Sequence, residues 1–181
     1  MNRIKGIAAA PGIGVAYKIG KEEFIIPKQG INDSDIPLQI QLFEEALIKT
    51  RREIIELQKR IGAQMGQEEA QIFDAHLLVL EDRMLIEEVI SRLKKDKLNV
   101  AFIFQEVLKK YVSVFSKIED EYLRERIADI NDVGKRILRN LLGLDRNGLG
   151  DFREKVIVVA HDLSPSDTAA MHKKNVAGFV T

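Results

Sequence analysis

The stretch EYLRERIADINDVGKRILRNLLG, Glu121 to Gly143, carries the clearest period in the chain: Leu123, Ile127, Ile130, Gly134, Ile137 and Leu141 recur every three or four residues. That spacing places them on one side of a helix with 3.6 residues per turn, so the stretch predicts an α-helix with an apolar face. Gly134 in the stripe allows close approach of a neighbouring helix. Gly143 is a terminator, because a residue without Cβ accepts the left-handed conformation that ends helices.

The same period extends towards the amino terminus. Val100, Phe104, Val107, Tyr111 and Val114 predict a helix from about Asn99. A further helix is expected from near Gln67 to about Lys95. Behind the start signal Asp33-Ser34-Asp35, the residues Ile36, Ile40, Phe43, Leu47, Ile54, Leu57 and Ile61 predict one long helix over 35–61, with Gly62 and Gly66 bracketing its end. Four helices joined by short loops make an antiparallel four-helix-type bundle over 33–143.

The flanks have a different character. Residues 4–9 read as a strand, Pro11-Gly12-Ile13-Gly14 as a turn and 15–19 as a second strand. The β-branched run 155–160 suits a buried strand, and 175–180 suits another. Between them, Ser164-Pro165-Ser166-Asp167 sets a cap, a proline at the first helical position and an acid, predicting a short helix through Met171. The expectation is an α/β domain built from 1–32 and 144–181, with the bundle inserted between. About four strands are visible, so the sheet is expected to be incomplete.

Composition narrows the function classes. Of 181 residues, 45% are hydrophobic and 31% charged, which suits one or two compact soluble domains. No apolar run approaches the roughly 20 residues that cross a bilayer, and the start lacks the apolar core of a signal peptide, so no membrane insertion and a cytoplasmic location are expected. With no cysteine, disulfides and thiolate chemistry are excluded. The 28 basic and 28 acidic side chains cancel, which argues against nucleic-acid binding. Acids nevertheless cluster over 68–88 and 119–132. These clusters either face a basic partner or open helices whose later turns are basic.

The expected helix from Gln67 is apolar nearly all round. Phe73, Leu77, Leu80 and Met84 form one stripe, Ile72, Val79, Ile86 and Ile90 a second, and Ala75, Leu78, Leu85 and Val89 a third. One core cannot easily bury all three. The surplus strip, edged by Glu68, Asp74, Glu81 and Asp82, either anchors a protein partner or packs against the α/β domain. His76 reads as a structural or interface histidine, since Glu69 and Asp82 stand seven and six positions away and give no metal-binding face. His161 and His172 read as solvated loop residues without a partner constellation. Gly12 and Gly14 lack a complete phosphate-binding fingerprint and fit a tight turn.

Four segments together resemble enzyme I of the bacterial phosphoenolpyruvate:sugar phosphotransferase system, in order and at its spacing. They are residues 6–14 (GIAAAPGIG), 69–82 (EAQIFDAHLLVLED), 121–136 (EYLRERIADINDVGKR) and 162–168 (DLSPSDT). The resemblance covers essentially the whole chain. It implies an α/β swivelling phosphohistidine domain, incomplete here, and an inserted helical domain that binds the small phosphocarrier HPr. In the family, phosphoenolpyruvate phosphorylates a histidine of this module with help from a separate carboxy-terminal domain, and the group passes to HPr. The acceptor is expected in a Thr-Ser-His motif beyond the last residue, so the resemblance assigns no catalytic residue to this chain. Thr168 matches a supporting hydroxyl. The docking residues it implies are Glu68, Gln71, Asp74, Ala75, Leu78, Val79, Asp82, Leu85, Leu123 and Arg126. It further implies no cofactor or metal in this piece, magnesium and a homodimer in the complete enzyme, and a monomer here.

Two other readings compete. A Ser-Pro-x-Asp turn also precedes the active histidine in pyruvate phosphate dikinase and phosphoenolpyruvate synthase, and a non-catalytic helical adaptor would need only a bundle with acidic faces.

Overall fold

The computed structural model describes residues 13–20, 23–117, 121–144, 152–161, 163, 167–168, 171 and 175–181, with side chains of the last helix described from Ile127 onward. Its contacts divide the chain into two units, Met1–Glu23 with Asn147–Thr181, and Phe24–Arg146.

In the second unit, α1 (Ile36–Gln64) follows a short 3-10 turn at Asp33–Asp35, where the Asn32 backbone N–H donates to the Asp35 carboxylate at 3.0 Å. It buries Phe43, Ala46, Thr50, Ile54, Leu57 and Ile61, the three-and-four spacing of one helical face. Gly66, at φ +133°, marks the turn beyond its end. The single helix expected over 67–95 is three: α2 (Gln67–Ala70), α3 (Ile72–Leu80) and α4 (Arg83–Asp96). Asp82 supplies the physical reason for the second break. Its backbone is extended, and its Oδ1 accepts from the N–H groups of Met84 at 2.8 Å and Leu85 at 3.1 Å, so it restarts the helix as an N-cap.

Helices α5 (Val100–Phe115) and α6 (Glu121–Leu141) follow, and α6 packs on α1, α3 and α5. The core includes Phe43 and Phe104, whose rings lie 5.6 Å apart, and Ile54, Leu93, Ile103, Val107, Val133 and Ile137 are buried along the helices. Residues 24–32, read from sequence as part of the α/β domain, are instead tied to the helices. Ile31 donates to the Lys97 carbonyl at 2.9 Å, Asn99 to the Gln29 carbonyl at 2.9 Å, and Gln105 Nε2 to the Phe24 carbonyl at 2.8 Å. Ile26 is buried there.

Gly134 sits at a close approach of α5 and α6: a Cβ added to it would overlap both methyl carbons of Leu108. Helix propensity favours alanine there by about 1 kcal/mol, while overpacking costs about 1–3 kcal/mol. Gly134→Ala should therefore lower the denaturant midpoint, and the double variant with Leu108→Ala should lose less than the sum of the two single losses, because the truncation relieves the clash while opening a cavity of its own. Additive losses in the double variant would rule out the steric account.

In the other unit, β1 (Val15–Lys18), β2 (Val156–Val159) and β3 (Val176–Val180) form a parallel sheet in that order. Val15 pairs with Val156 and Val158 with Phe179, so the two ends of the chain share one sheet. Val156, Val158 and Met171 are its buried cluster, with Ile19, Phe152, Leu163 and Val176 packed around them. A Cβ on Gly14 would stand 3.2 Å from both Ile157 Cγ1 and the Lys155 carbonyl, so close approach of β2 accounts for that glycine. The strand read at 4–9 and the capping residues Ser164 to Ser166 lie outside the described residues. Asp167, Thr168 and Met171 are helical.

Candidate docking site

Glu68 on α2, Gln71 at its end, Asp74, Ala75 and Leu78 on α3, and Asp82 at the α4 cap follow one another at three- and four-residue intervals, so they share one side of the segment. Leu78 is 61% exposed, Ala75 and Val79 are half-buried, and Glu68, Gln71, Asp74 and Asp82 are exposed. An apolar centre with a carboxylate rim is therefore a feature of the surface. The rim is also held. Asp74 accepts from Gln58 Nε2 of α1 at 2.7 Å, Glu81 pairs with Arg51 of α1, and Asp82 is fixed by its capping bonds.

Leu85 corrects the sequence reading. It is 3% exposed and belongs to the core, with Val89 and Leu93 on the same face of α4. The break at Glu81–Asp82 changes the helical phase, so a stripe extrapolated from Ala75 and Leu78 through Leu85 does not stay on one side. Met84, just past the break, is 75% exposed although Phe73 and Leu80 of its expected stripe are buried, and Ile72 is 42% exposed. Both are exposed apolar residues outside the expected docking set, and for Met84 the acid at Asp82 was the cue in the sequence. Leu123 and Arg126 lie in α6, but their side chains fall outside the described residues.

Behind the face, His76 is 1% exposed and packs on the Phe73 ring, with centroids 5.4 Å apart. Its Nε2 is 3.5 Å from Asp132 Oδ2 and 3.6 Å from Asp129 Oδ1. Burial lowers its pKa below the usual 6.5, opposed by the Asp132 and Asp129 charges and assisted by Arg136. The carboxylates come from α6, fifty residues on in the chain, which is why spacing along the second helical segment could not find them. Arg136 is itself buried and donates to Glu53 Oε2 at 3.2 Å.

A cavity of about 460 Å³ opens beside that pair, lined by Lys49, Glu53, Glu56, Leu57, Arg60, Arg136, Arg139, Asn140 and Leu144. No histidine lines it. His161 is exposed in the bend after β2, His172 lies outside the described residues, and Thr168 is half-buried in its short helical segment. Among the described residues, no group of three or more His, Cys, Asp or Glu is placed to hold a metal ion. Nor is any helix among them long and apolar enough to cross a membrane.

The family described as PEP-utilising enzyme, N-terminal, matches residues 5–126, and the PEP-utilising enzyme mobile domain matches residues 152–181. The phosphoenolpyruvate-protein phosphotransferase of Bacillus subtilis strain 168 is 37% identical over 183 residues, covering 100% of this chain and 32% of that protein. The protein of the same name from Staphylococcus epidermidis is 39% identical over 98% of this chain and 31% of its own. The chain thus spans about a third of the length of these curated relatives. A solution structure of enzyme I (nEIt) superposes with a TM-score of 0.79 at 40% identity, covering 97% of this chain and 71% of that one. The N-terminal domain of Enzyme 1 - Nitrogen gives 0.66 at 25% identity over 94% and 70%. Fold and matches define the class as that of the phosphoenolpyruvate-utilising enzymes. Within that class, the chain belongs to the enzyme I family, whose curated members are named phosphoenolpyruvate-protein phosphotransferases.

Proposed function

We propose that this chain is the carrier-docking part of enzyme I, and that the α2–α3 face receives the histidine phosphocarrier HPr. The observation that carries the reading is Leu78: a leucine 61% exposed, in a helical row with Gln71, Asp74, Ala75 and Asp82. Such a centre suits a partner with an apolar patch surrounded by basic residues. Ala75, Leu78 and Val79 would supply affinity, while Glu68 and Asp82 would steer encounter. Leu123 and Arg126 are proposed as the α6 contribution.

In this reading the parallel-sheet unit is part of a swivelling phosphohistidine domain. Transfer from a phosphohistidine breaks a P–N bond on the donor ring and forms one on the acceptor ring. Its main requirement is in-line placement of the two rings, which a docking surface provides. The 181 residues contain no Thr-Ser-His run, so the chain is proposed to dock without transferring, with Thr168 orienting the acceptor ring in the complete enzyme. Magnesium and phosphoenolpyruvate belong to a separate carboxy-terminal domain of a cytoplasmic homodimer. The isolated piece is proposed to be a monomer.

Calorimetric titration with purified HPr at two salt concentrations tests the reading. One-to-one binding that weakens with salt is expected; a folded chain that binds at neither concentration would sink it and favour the dikinase-like or adaptor alternatives. Asp82 separates steering from folding. Asp82→Asn keeps a capping oxygen and should leave melting nearly unchanged while slowing association at low salt. Asp82→Ala should also cost about 1 kcal/mol of stability through loss of the cap. Equal melting temperatures for the two variants would refute the capping role.

A further inference from the structure

His76 faces inward on the helix that carries the docking face, with Ala75 beside it and Leu78 and Val79 less than one turn on. Its Nε2 lies 3.5 and 3.6 Å from two α6 carboxylates, longer than a hydrogen bond. Both ring nitrogens and Asp132 Oδ2 are buried without a hydrogen-bond partner. Helix α3 has nine residues and is bounded by breaks at Gln71 and Glu81–Asp82. A short rod is thus seated on α6 partly through an unsatisfied polar contact, a type of contact uncommon inside proteins.

We propose that His76 couples solution pH to the docking face: proton uptake by its ring loosens α3 from α6 and weakens docking. The inference rests on the docking reading above. A neutral ring carries one N–H, which can point between Asp129 and Asp132, and leaves Nδ1 bare. A protonated ring gains a hydrogen on Nδ1 with no acceptor there, and must give up the hydration that an exposed imidazolium keeps. The charged groups facing this contact are Asp129, Asp132 and Arg136 from α6. From α1 come Glu53, which holds Arg136, and Arg51, which pairs with Glu81 at the end of α3. Glu68 and Glu69 of α2 and Asp74 of α3 are exposed.

The two carboxylates attract the proton, yet burial outweighs them and holds the ring below its usual pKa of 6.5. The sign follows. The seated form loses stability as pH falls from 6.5 through the lowered pKa, because the unseated ring binds a proton more readily.

The full chain, isotopically labelled, should be titrated by NMR from pH 7.5 to 5, following the imidazole nitrogens of His76 and the amides of Ala75, Leu78 and Val79. One midpoint below 6.5 is expected for all of them. Docking of HPr should then be measured at pH 7.5 and 5.5 for wild type, His76→Gln and Asp129→Asn. The same partner throughout removes the contribution of its own histidine. Wild type should lose roughly tenfold more affinity on acidification than His76→Gln, an ordinary size for coupling between sites. If His76→Gln does not fold, Asp129→Asn decides: with less attraction for the proton, the midpoint and the loss of affinity should both move to lower pH. Amides that ignore the ring, or pH profiles identical in wild type and variants, would overturn the coupling. Absence of docking at both pH values would instead overturn the docking reading, while the ring and amide titrations would still test the local switch.

Discussion

Leu78→Lys should weaken HPr binding at least about thirtyfold, the loss of about 2 kcal/mol that defines an interface hot spot, while the chain melts almost where wild type does. The two halves of the result have separate causes. Leu78 is 61% exposed, so removing it opens no cavity in the core. Lysine forms helices about as well as leucine, and its charge near the carboxy-terminal end of α3 complements the helix dipole. At the docking face the same change removes the apolar centre and sets a cation where the acidic rim would draw a basic partner. Leu78→Ala removes only the anchor and should cost about tenfold. Unchanged calorimetric affinity for Leu78→Lys would place the contact elsewhere on the molecule.

The legibility of this chain divides along a physical line. Helices α1, α5 and α6 could be read because each keeps an apolar stripe over many turns; of the α1 stripe, Phe43, Ile54, Leu57 and Ile61 are buried, while Ala46 and Thr50, which it did not include, are buried with them. The β-branched run that gives Val156–Val159 was equally clear, as was the pairing of the chain's two ends. The second helical segment does leave apolar residues exposed, as its all-round apolar character implied, but it is three helices and not the one expected. Its phase changes at Asp82, through two capping bonds that hydrophobic periodicity does not register.

That one side chain decides which apolar residues face outward. Leu78 and Met84 stay at the surface, and Leu85 turns in. The setting of His76 was illegible for a different reason. Its partners Asp129 and Asp132 are remote in sequence and adjacent only after α3 packs on α6. The resemblance to enzyme I pointed to the residues of the proposed docking face, and the structure shows which of them are exposed.

Phe104→Ala should be among the most damaging single truncations in the helical unit and should leave the proposed docking face intact. Phe104 is 0% exposed and its ring stands 5.6 Å from that of Phe43, itself 1% exposed. Loss of a buried phenyl ring removes its transfer free energy and leaves a cavity that α1 and α5 can only partly close, together about 3–5 kcal/mol. Against a total stability of roughly 5–15 kcal/mol, that should lower the melting temperature by roughly 10–20 °C. Val114→Ala, in the same helix at a position 53% exposed, should change stability by less than about 0.5 kcal/mol. Because α5 contributes no residue to the proposed face, Phe104→Ala measured well below its melting temperature should bind HPr as tightly as wild type. Tight binding with a lowered melting temperature would separate the scaffold from the surface it carries. A large loss of affinity in a fully folded Phe104→Ala chain would mean that packing around Phe43 and Phe104 sets the geometry of α3, and that the docking face is not the independent element described above.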